Sequence, residues 1–243
     1  MTVENRDGQY LGTIEDFIVD EQSGEVTFGV ISSGGLLGFH KKLKAVPASI
    51  LSMATAKLGV VSLDAGRRRW ERAPVFKRGD VAGFRKDPST AEALYRYYGV
   101  ASGGSREHEP NGSQGMLPAI HSGRIGQEQS MTGRPRLQTA KLDFASDLLG
   151  KTIVDNRDQS LGQISDLLLD LTSQRPTLAI LSPGKELRQS GRFALTLSSL
   201  APKSANALRI EANPRNFALA PALDDCAWQS QQARKATGIY RFQ

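Results

Sequence analysis

A ten-residue stretch, residues 11–20, decides the fold and reads Leu-Gly-Thr-Ile-Glu-Asp-Phe-Ile-Val-Asp. The chain repeats it 150 residues later, where residues 161–170 read Leu-Gly-Gln-Ile-Ser-Asp-Leu-Leu-Leu-Asp. Leu, Gly, Ile and both Asp residues stand at the same positions of the two stretches. A period of this length indicates duplication of a whole domain, because solenoid repeats have periods of roughly 20–50 residues.

The repeat extends outward in both directions. Asn5-Arg6-Asp7 returns as Asn156-Arg157-Asp158, residues 26–34 align with 176–184, and residues 45–51 align with 194–200. Farther on, residues 73–76 resemble 220–223, and Tyr95-Arg96-Tyr97-Tyr98 resembles Tyr240-Arg241-Phe242. We predict a first unit over 1–66, a tail with a helix over 67–100, a linker over 101–146, a second unit over 147–213 and a tail over 214–243.

Composition predicts that the linker is flexible. Residues 101–146 contain seven glycines and three prolines, and their apolar residues are sparse and show no period. Such a segment cannot bury enough apolar surface to offset the entropy of ordering it.

Within each unit the pattern favours short strands. Residues 25–32 alternate with the period of two that is typical of a strand, and the turn cluster at 21–24 makes them a hairpin with residues 10–20. Strands are also predicted over 42–46 and 57–63, with one helical turn between them. Several short strands and tight turns in so few residues predict a small β-barrel.

The tail of the first unit carries a helical pattern from Pro88 to Gly99. Its apolar stripe consists of Ala91, Leu94, Tyr95 and Tyr98. We expect this stripe to pack on the barrel of its own unit; the alternatives are stacking on nucleic-acid bases and binding a partner.

The run Asp7-Gly8-x-x-Leu11-Gly12-x-Ile14-x-Asp16-x-x-x-Asp20, followed by Gly34-Gly35-Leu36-Leu37-Gly38 and Ala45-Val46-Pro47, resembles the PRC-barrel family. That family is similar to the cytoplasmic domain of the photosynthetic reaction-centre H subunit and to the C-terminal domain of RimM-type ribosome maturation factors. The resemblance implies a mainly β fold of two small barrels with short helical tails. It also implies binding or assembly without shared catalytic residues, so it transfers no catalytic, cofactor or metal residue.

The two units begin differently. Residues 147–153 precede Val154, whereas the first unit begins almost directly at Val3. We therefore expect the first barrel to lack the leading half of its first strand, through a start codon set too late or an edge covered by other parts of the chain. An uncovered edge invites pairing with another strand, which predicts barrels that pack together or a chain that dimerises.

Few residues suggest catalysis. Asp16 with Asp20, and Asp166 with Asp170, share strand parity and suggest a cation site or an acid–base pair, but four residues of strand separate them by about 13 Å. We expect Asp20 and Asp170 to open turns, and Asp16 and Asp166 to pair with backbone amides or basic neighbours. The remaining candidates lack the neighbours that their chemistry requires. The histidines His40, His108 and His121 have no metal-ligand spacing, and the single Cys226 is not expected to be a nucleophile. The runs Gly34–Gly38 and Gly112-Ser113-Gln114-Gly115 do not match a phosphate-binding loop or a serine nucleophile motif.

The charge is +6, spread evenly along the chain, and no apolar run is long enough to cross a bilayer. We expect a solvated basic face on a linker from the basic residues; the alternative is a patch that contacts RNA phosphates, and a third possibility, which no amphipathic helix supports, is an anionic membrane surface. These residues are Lys41, Lys42, Lys44, Arg67, Arg68, Arg69, Arg72, Lys77 and Arg78. We expect a non-catalytic scaffold that binds a protein partner in a bacterial cytoplasm. One alternative is an RNA- or ribosome-assembly factor, which the RimM similarity implies, and another is an enzyme.

Overall fold

Two β-sheets make up most of the protein. The computed structural model describes residues 1–34, 41–54, 57, 59–77, 88–100, 141–171, 177–187 and 191–210, with the backbone of 239–242. Both sheets contain seven strands within these residues, and the helices between them are short. The predicted fold class, mainly β with a duplicated barrel-like unit, is confirmed.

The first sheet contains the predicted hairpin as its longest part. Its strand order is β4-β3-β2-β1-β6-β5, with β7 added beside β2. The strands are β1 (Thr2–Asn5), β2 (Tyr10–Asp20), β3 (Val26–Ser33), β4 (Lys42–Pro47), β5 (Leu51–Met53), β6 (Val60–Leu63) and β7 (Leu142–Phe144). The predicted helical turn after β4 is a 3-10 turn over Ala48–Ile50.

The second sheet repeats this topology in the order β11-β10-β9-β8-β13-β12, with β14 beside β9. Register repeats as well: Ile14 pairs with Ile31 in the first sheet, and Ile164 pairs with Leu181 in the second. The strands are β8 (Thr152–Val154), β9 (Ser160–Asp170), β10 (Leu178–Pro183), β11 (Phe193–Thr196), β12 (Leu200–Ser204), β13 (Ala207–Ile210) and β14 (Ile239–Phe242). Two 3-10 turns accompany them, Lys185–Leu187 and Leu197–Ser199.

Three helices lie in the described residues: α1 (Arg67–Arg72), α2 (Pro88–Tyr98) and α3 (Ala145–Leu148). The predicted helix after Pro88 is confirmed as α2. Its predicted stripe is buried: Ala91, Leu94 and Tyr95 cover the outer face of the first sheet, while Tyr98 joins the main core. The stripe therefore packs on the barrel of its own unit, as the interpretation we favoured requires.

One alignment in the repeat is wrong. The Tyr95–Tyr98 segment lies in helix α2, whereas Tyr240-Arg241-Phe242 lies in strand β14. The structural counterpart of β14 is β7, because β14 pairs with β9 at Asp170 and β7 pairs with β2 at the equivalent Asp20. Aromatic residues are enriched in strands, but tertiary packing often overrides this preference, so a short aromatic match does not distinguish a strand from a helix.

Strand β7 also falls inside the predicted linker 101–146. Its three residues pair with β2, and α3 begins directly after it. Residues 101–140 lie outside the described part of the chain, so their predicted flexibility and the remaining domain boundaries stay predictions. Most of the predicted tail 214–243 is likewise outside it.

The expectation of a missing half-strand in the first barrel is wrong. The carbonyl of Met1 accepts a hydrogen bond from the amide of Ile14, and the carbonyl of Lys151 accepts one from Ile164, so the two first strands begin at equivalent positions. The residues ahead of β8 form the short helix α3 and a turn rather than additional strand.

The two barrels pack against each other around one apolar cluster. Phe17 and Ile14 from the first barrel and Leu167 and Ile164 from the second belong to the same group of buried side chains. A backbone hydrogen bond of 2.6 Å joins the amide of Thr177 to the carbonyl of Gly24 across the two units. The expected packing of the two barrels is therefore present within a single chain.

Candidate binding groove on the first barrel

The predicted aspartate pair of the first barrel is used for structure. Asp16 is fully buried and accepts hydrogen bonds from the amide of Phe17 at 2.8 Å and from the amide and hydroxyl of Ser146 at 3.2 and 2.5 Å. Asp20 caps a turn by accepting from the amide of Gln22 and the hydroxyl of Ser23. The first carboxylate thus attaches α3 to the first barrel, and the second closes the hairpin.

A group of charged side chains around the buried Glu21 reinforces this junction. Glu21, with a side chain 3% exposed, is 2.6 Å from the ammonium of Lys141 and 3.4 Å from that of Lys151. Lys151 is also 3.4 Å from Asp143. Lys141 and Asp143 lie at β7, Glu21 follows β2, and Lys151 precedes β8 of the second barrel. Their pairing therefore holds the two barrels in one relative orientation.

Several of the nine basic residues considered above are already engaged inside the chain. Lys41 pairs with Glu15, and Arg67 pairs with Glu71 along one turn of α1. Arg69 donates a hydrogen bond to the carbonyl of Tyr98 at 3.1 Å. Arg78 lies outside the described residues, as do His40, His108, His121, Cys226, Gly35–Gly38 and the Gly112–Gly115 run.

Three of the basic residues, Lys42, Lys44 and Arg67, line a groove beside the start of the glycine-rich loop. We call it the Lys44 groove; it has a volume of about 340 Å³, lies next to Gly34, and is lined in part by Tyr10, Lys42, Lys44, Arg67, Trp70 and Glu71. The Gly34 backbone has a φ of +71°, which favours glycine at this turn. Tyr10 stands at the opening with 62% of its surface exposed.

Lys44 forms the floor of this groove and is only 4% exposed. Its ammonium donates to the carbonyls of Trp70 and Glu71 at 2.5 and 3.0 Å, and it lies 4.7 Å from the centre of the Trp70 ring. The carbonyls at the end of a helix carry partial negative charge, so a cation is favourable there. Trp70 is fixed in turn by its indole N–H, which donates to the carbonyl of Leu11 at 3.1 Å.

Burial lowers the pKa of Lys44 below its usual range, and the neighbouring positive charge of Lys42 lowers it further. Glu71 acts in the opposite direction on this pKa. The ammonium is thus held by neutral carbonyls and an aromatic ring, and within the described residues it forms no ion pair with a carboxylate.

The second barrel provides an internal comparison for this groove. Ile31 pairs with Lys44 in the first sheet, and the equivalent Leu181 pairs with Phe193 in the second. The same counting places Gly191 at the position of Lys42, and the registers of β1 and β8 place Ser160 at that of Tyr10. Phe193 is 3% exposed and belongs to the core. Charge and aromatic surface therefore occur at these positions in the first barrel alone.

The sequence pattern placed Lys42 and Lys44 in a broad basic patch and did not point to Tyr10 or Trp70. One signal was available: the aligned residues Ala45 and Ala194 are preceded by Lys44 and Phe193. A lysine in one copy that aligns with a phenylalanine in the other indicates a position where the first barrel does not simply complete an apolar core.

The fold and this site define a tandem protein of two small, packed β-barrels. A family model for the PRC-barrel domain matches residues 1–67 and 141–211, and the chain belongs to the PRC-barrel family. No curated protein matches the chain.

Two further features bear on the site. No helix among the described residues is both long and apolar enough to span a membrane. In the same part of the chain, no three His, Cys, Asp or Glu side chains are grouped so that they could hold a metal ion.

Proposed function

We propose that this protein is a non-catalytic scaffold that binds a protein partner through the Lys44 groove. The observation that carries the proposal is the difference between the barrels: equivalent positions hold Tyr10 and Lys44 in one and Ser160 and Phe193 in the other. The equivalent Phe193 indicates that the barrel itself does not require a lysine at this position; Lys44 holds the end of α1 and also brings a positive charge to the groove.

The rest of the molecule supports a scaffolding role. Asp16, Glu21 and Lys151 are occupied in joining the two barrels. Membership of a family of binding and assembly modules favours the same role. A fixed body with one distinctive groove suits a protein that positions a partner, and as part of this proposal we place it in the cytoplasm, which the single cysteine favours.

Site-specific photocrosslinking tests the proposal. A photoreactive benzoylphenylalanine replaces Tyr10 in the full chain, and the same group at Ser160 is the matched control on the second barrel. After irradiation in native cells and nuclease treatment, we expect a discrete protein adduct from position 10 that is absent from position 160. The partner is then purified, and its binding to the wild-type chain is measured by calorimetry.

The proposal fails if position 10 yields no protein adduct, if both positions yield the same adducts, or if the purified partner does not bind. An adduct that nuclease removes would point instead to RNA.

A further inference from the structure

We propose that the partner segment which occupies the Lys44 groove is a short acidic peptide with an aromatic or aliphatic side chain beside its carboxylates. This inference rests on the proposed function and specifies the chemistry of the partner at the same site.

Charge is the first argument. Lys42, Lys44 and Arg67 line the groove, and Glu71 is the carboxylate among its lining residues, which leaves a surplus of two positive charges. Glu71 is paired with Arg67 at 2.8 Å. Lys42 is exposed and forms no ion pair within the described residues, so its ammonium is available to a ligand carboxylate.

The buried ammonium is the second argument. Removing a charge from water costs free energy, and a buried charge is normally paired or well hydrogen-bonded. Lys44 has carbonyl partners but no carboxylate partner in the described chain, so its positive charge acts on the groove above it. An incoming carboxylate gains from this charge, and its arrival offsets part of the cost of burying Lys44.

The shape of the groove gives the third argument. A volume of about 340 Å³ is at the lower end of the range typical of ligand pockets, so it accommodates a few side chains rather than a folded surface. Tyr10 and the ring of Trp70 provide apolar wall next to the cations. A segment that combines Asp or Glu with one apolar side chain matches both parts of the lining.

The same observations disfavour RNA as the occupant. Phosphate-backbone binding uses several cations at once. Beside the groove, Lys41 is paired with Glu15 and Arg67 with Glu71, and Arg69 is bound to a backbone carbonyl. Arg68 and Arg72 are exposed on α1 but do not line the groove. One unpaired lysine above one buried lysine fits a small number of carboxylates better than an extended polyanion.

Peptide selection tests the chemistry of the groove directly. A random peptide library displayed on phage is selected on the full chain, and recovered peptides are titrated by fluorescence anisotropy against wild type, Lys42→Glu, Tyr10→Ser and Lys44→Met. The matched control is Lys185→Glu, an exposed lysine on the second barrel. Circular dichroism verifies that each variant is folded.

We expect the recovered peptides to be rich in Asp and Glu and to bind more weakly as salt concentration rises. Lys42→Glu should weaken their binding at least tenfold, about 1.4 kcal/mol, and Tyr10→Ser should weaken it as well. Lys185→Glu should leave it unchanged. If Lys44→Met folds, it too should weaken binding; if it does not fold, Lys42→Glu and Tyr10→Ser carry the test.

The inference is overturned if no peptide is recovered, if recovered peptides carry no excess of negative charge, or if the control weakens binding as much as Lys42→Glu. Random-sequence RNA that binds wild type and loses affinity in Lys42→Glu would also overturn it. A protein adduct at position 10 together with uncharged peptides would preserve the proposed function and reject only the acidic partner. Absence of any adduct at position 10 would reject the proposed function itself.

Discussion

The two barrels share a skeleton and differ in what they present to solvent. Each has the same strand order, each places an added strand beside its longest strand, and each buries an aspartate at the equivalent position, Asp16 or Asp166. They differ at the position of Lys44 and Phe193, where the second barrel completes its core with an aromatic ring. The two copies therefore share the residues that close the barrel and differ in the residues that line the Lys44 groove.

The largest effect is expected where the barrels are most alike. A Cβ atom added at Gly12 would lie closer than 3.0 Å to the carbonyl oxygen of Ser32, and one at Gly162 would lie equally close to that of Ser182. We expect Gly12→Ala to destabilise the protein by about 3 kcal/mol through overpacking.

Gly162→Ala should cost more, because a φ of +150° adds strain of about 1–3 kcal/mol. Urea unfolding of both variants measures the difference, with Gly66→Ala as control because nothing lies within 4 Å of an added Cβ there. If neither substitution lowers the free energy of unfolding, the close approach of β2 to β3 and of β9 to β10 is not required for stability.

The next effect concerns the contact between the barrels. Asp16→Ala removes the acceptor for the hydroxyl and amide of Ser146 and for the amide of Phe17, and we expect a loss of about 3 kcal/mol in the free energy of unfolding. Ser146→Ala should cost about 2 kcal/mol, and the double variant should cost less than the sum.

A double-mutant cycle by chemical denaturation measures this coupling. Ser199→Ala is the control, because its hydroxyl bonds to the Thr196 carbonyl within the second barrel, and its effect should add to that of Asp16→Ala. Additivity in both cycles would mean that Asp16 does not connect the two units.

The smallest effect is a pH dependence confined to the first barrel. The pKa of Lys44 is lowered in the folded protein, so the unfolded chain binds more protons between that lowered value and 10.5. The stability contributed by this residue therefore rises with pH across that window. Lys44→Met should abolish the rise, whereas Lys42→Met should leave a smaller rise, because burial still lowers the pKa of Lys44 after the charge of Lys42 is removed.

Urea unfolding of the three proteins at several pH values from 8 to about 10 measures this difference. Identical pH profiles for wild type and Lys44→Met would show that the buried ammonium does not titrate differently in the folded state.

The repeat in the sequence predicted the architecture well, for identifiable reasons. Residues 11–20 and 161–170 keep Leu, Gly, Ile and Asp at one spacing, and in the structure these residues face the core, allow two strands to approach, or cap a turn. The helix after Pro88 was also predictable, because its apolar residues recur at helical spacing. The equivalence of β7 and β14 was not, because Leu142–Phe144 and Ile239–Phe242 share no motif and are related only by the strands beside them.

For the candidate site, the sequence predicted only that several basic residues occur close together in the chain. Lys44 and Arg67 belonged to the same basic group in the sequence, yet Lys44 is buried against the ring of Trp70 and Arg67 is paired with Glu71 at the surface. A string of lysines and arginines does not reveal which ones are already neutralised, because their partners come from other strands and helices.

The amino-acid sequence alone determines the duplication, the β-rich character of each copy and the short amphipathic helix. These features depend on local periodicity and on spacing that is repeated along the chain. Packing in three dimensions decided the rest: which strand completes each sheet, that Asp16 bonds across to Ser146, and that Lys44 lies beneath an open groove. Those features arise from contacts between residues dozens of positions apart, whose energies depend on burial and distance and leave no periodic trace in the chain.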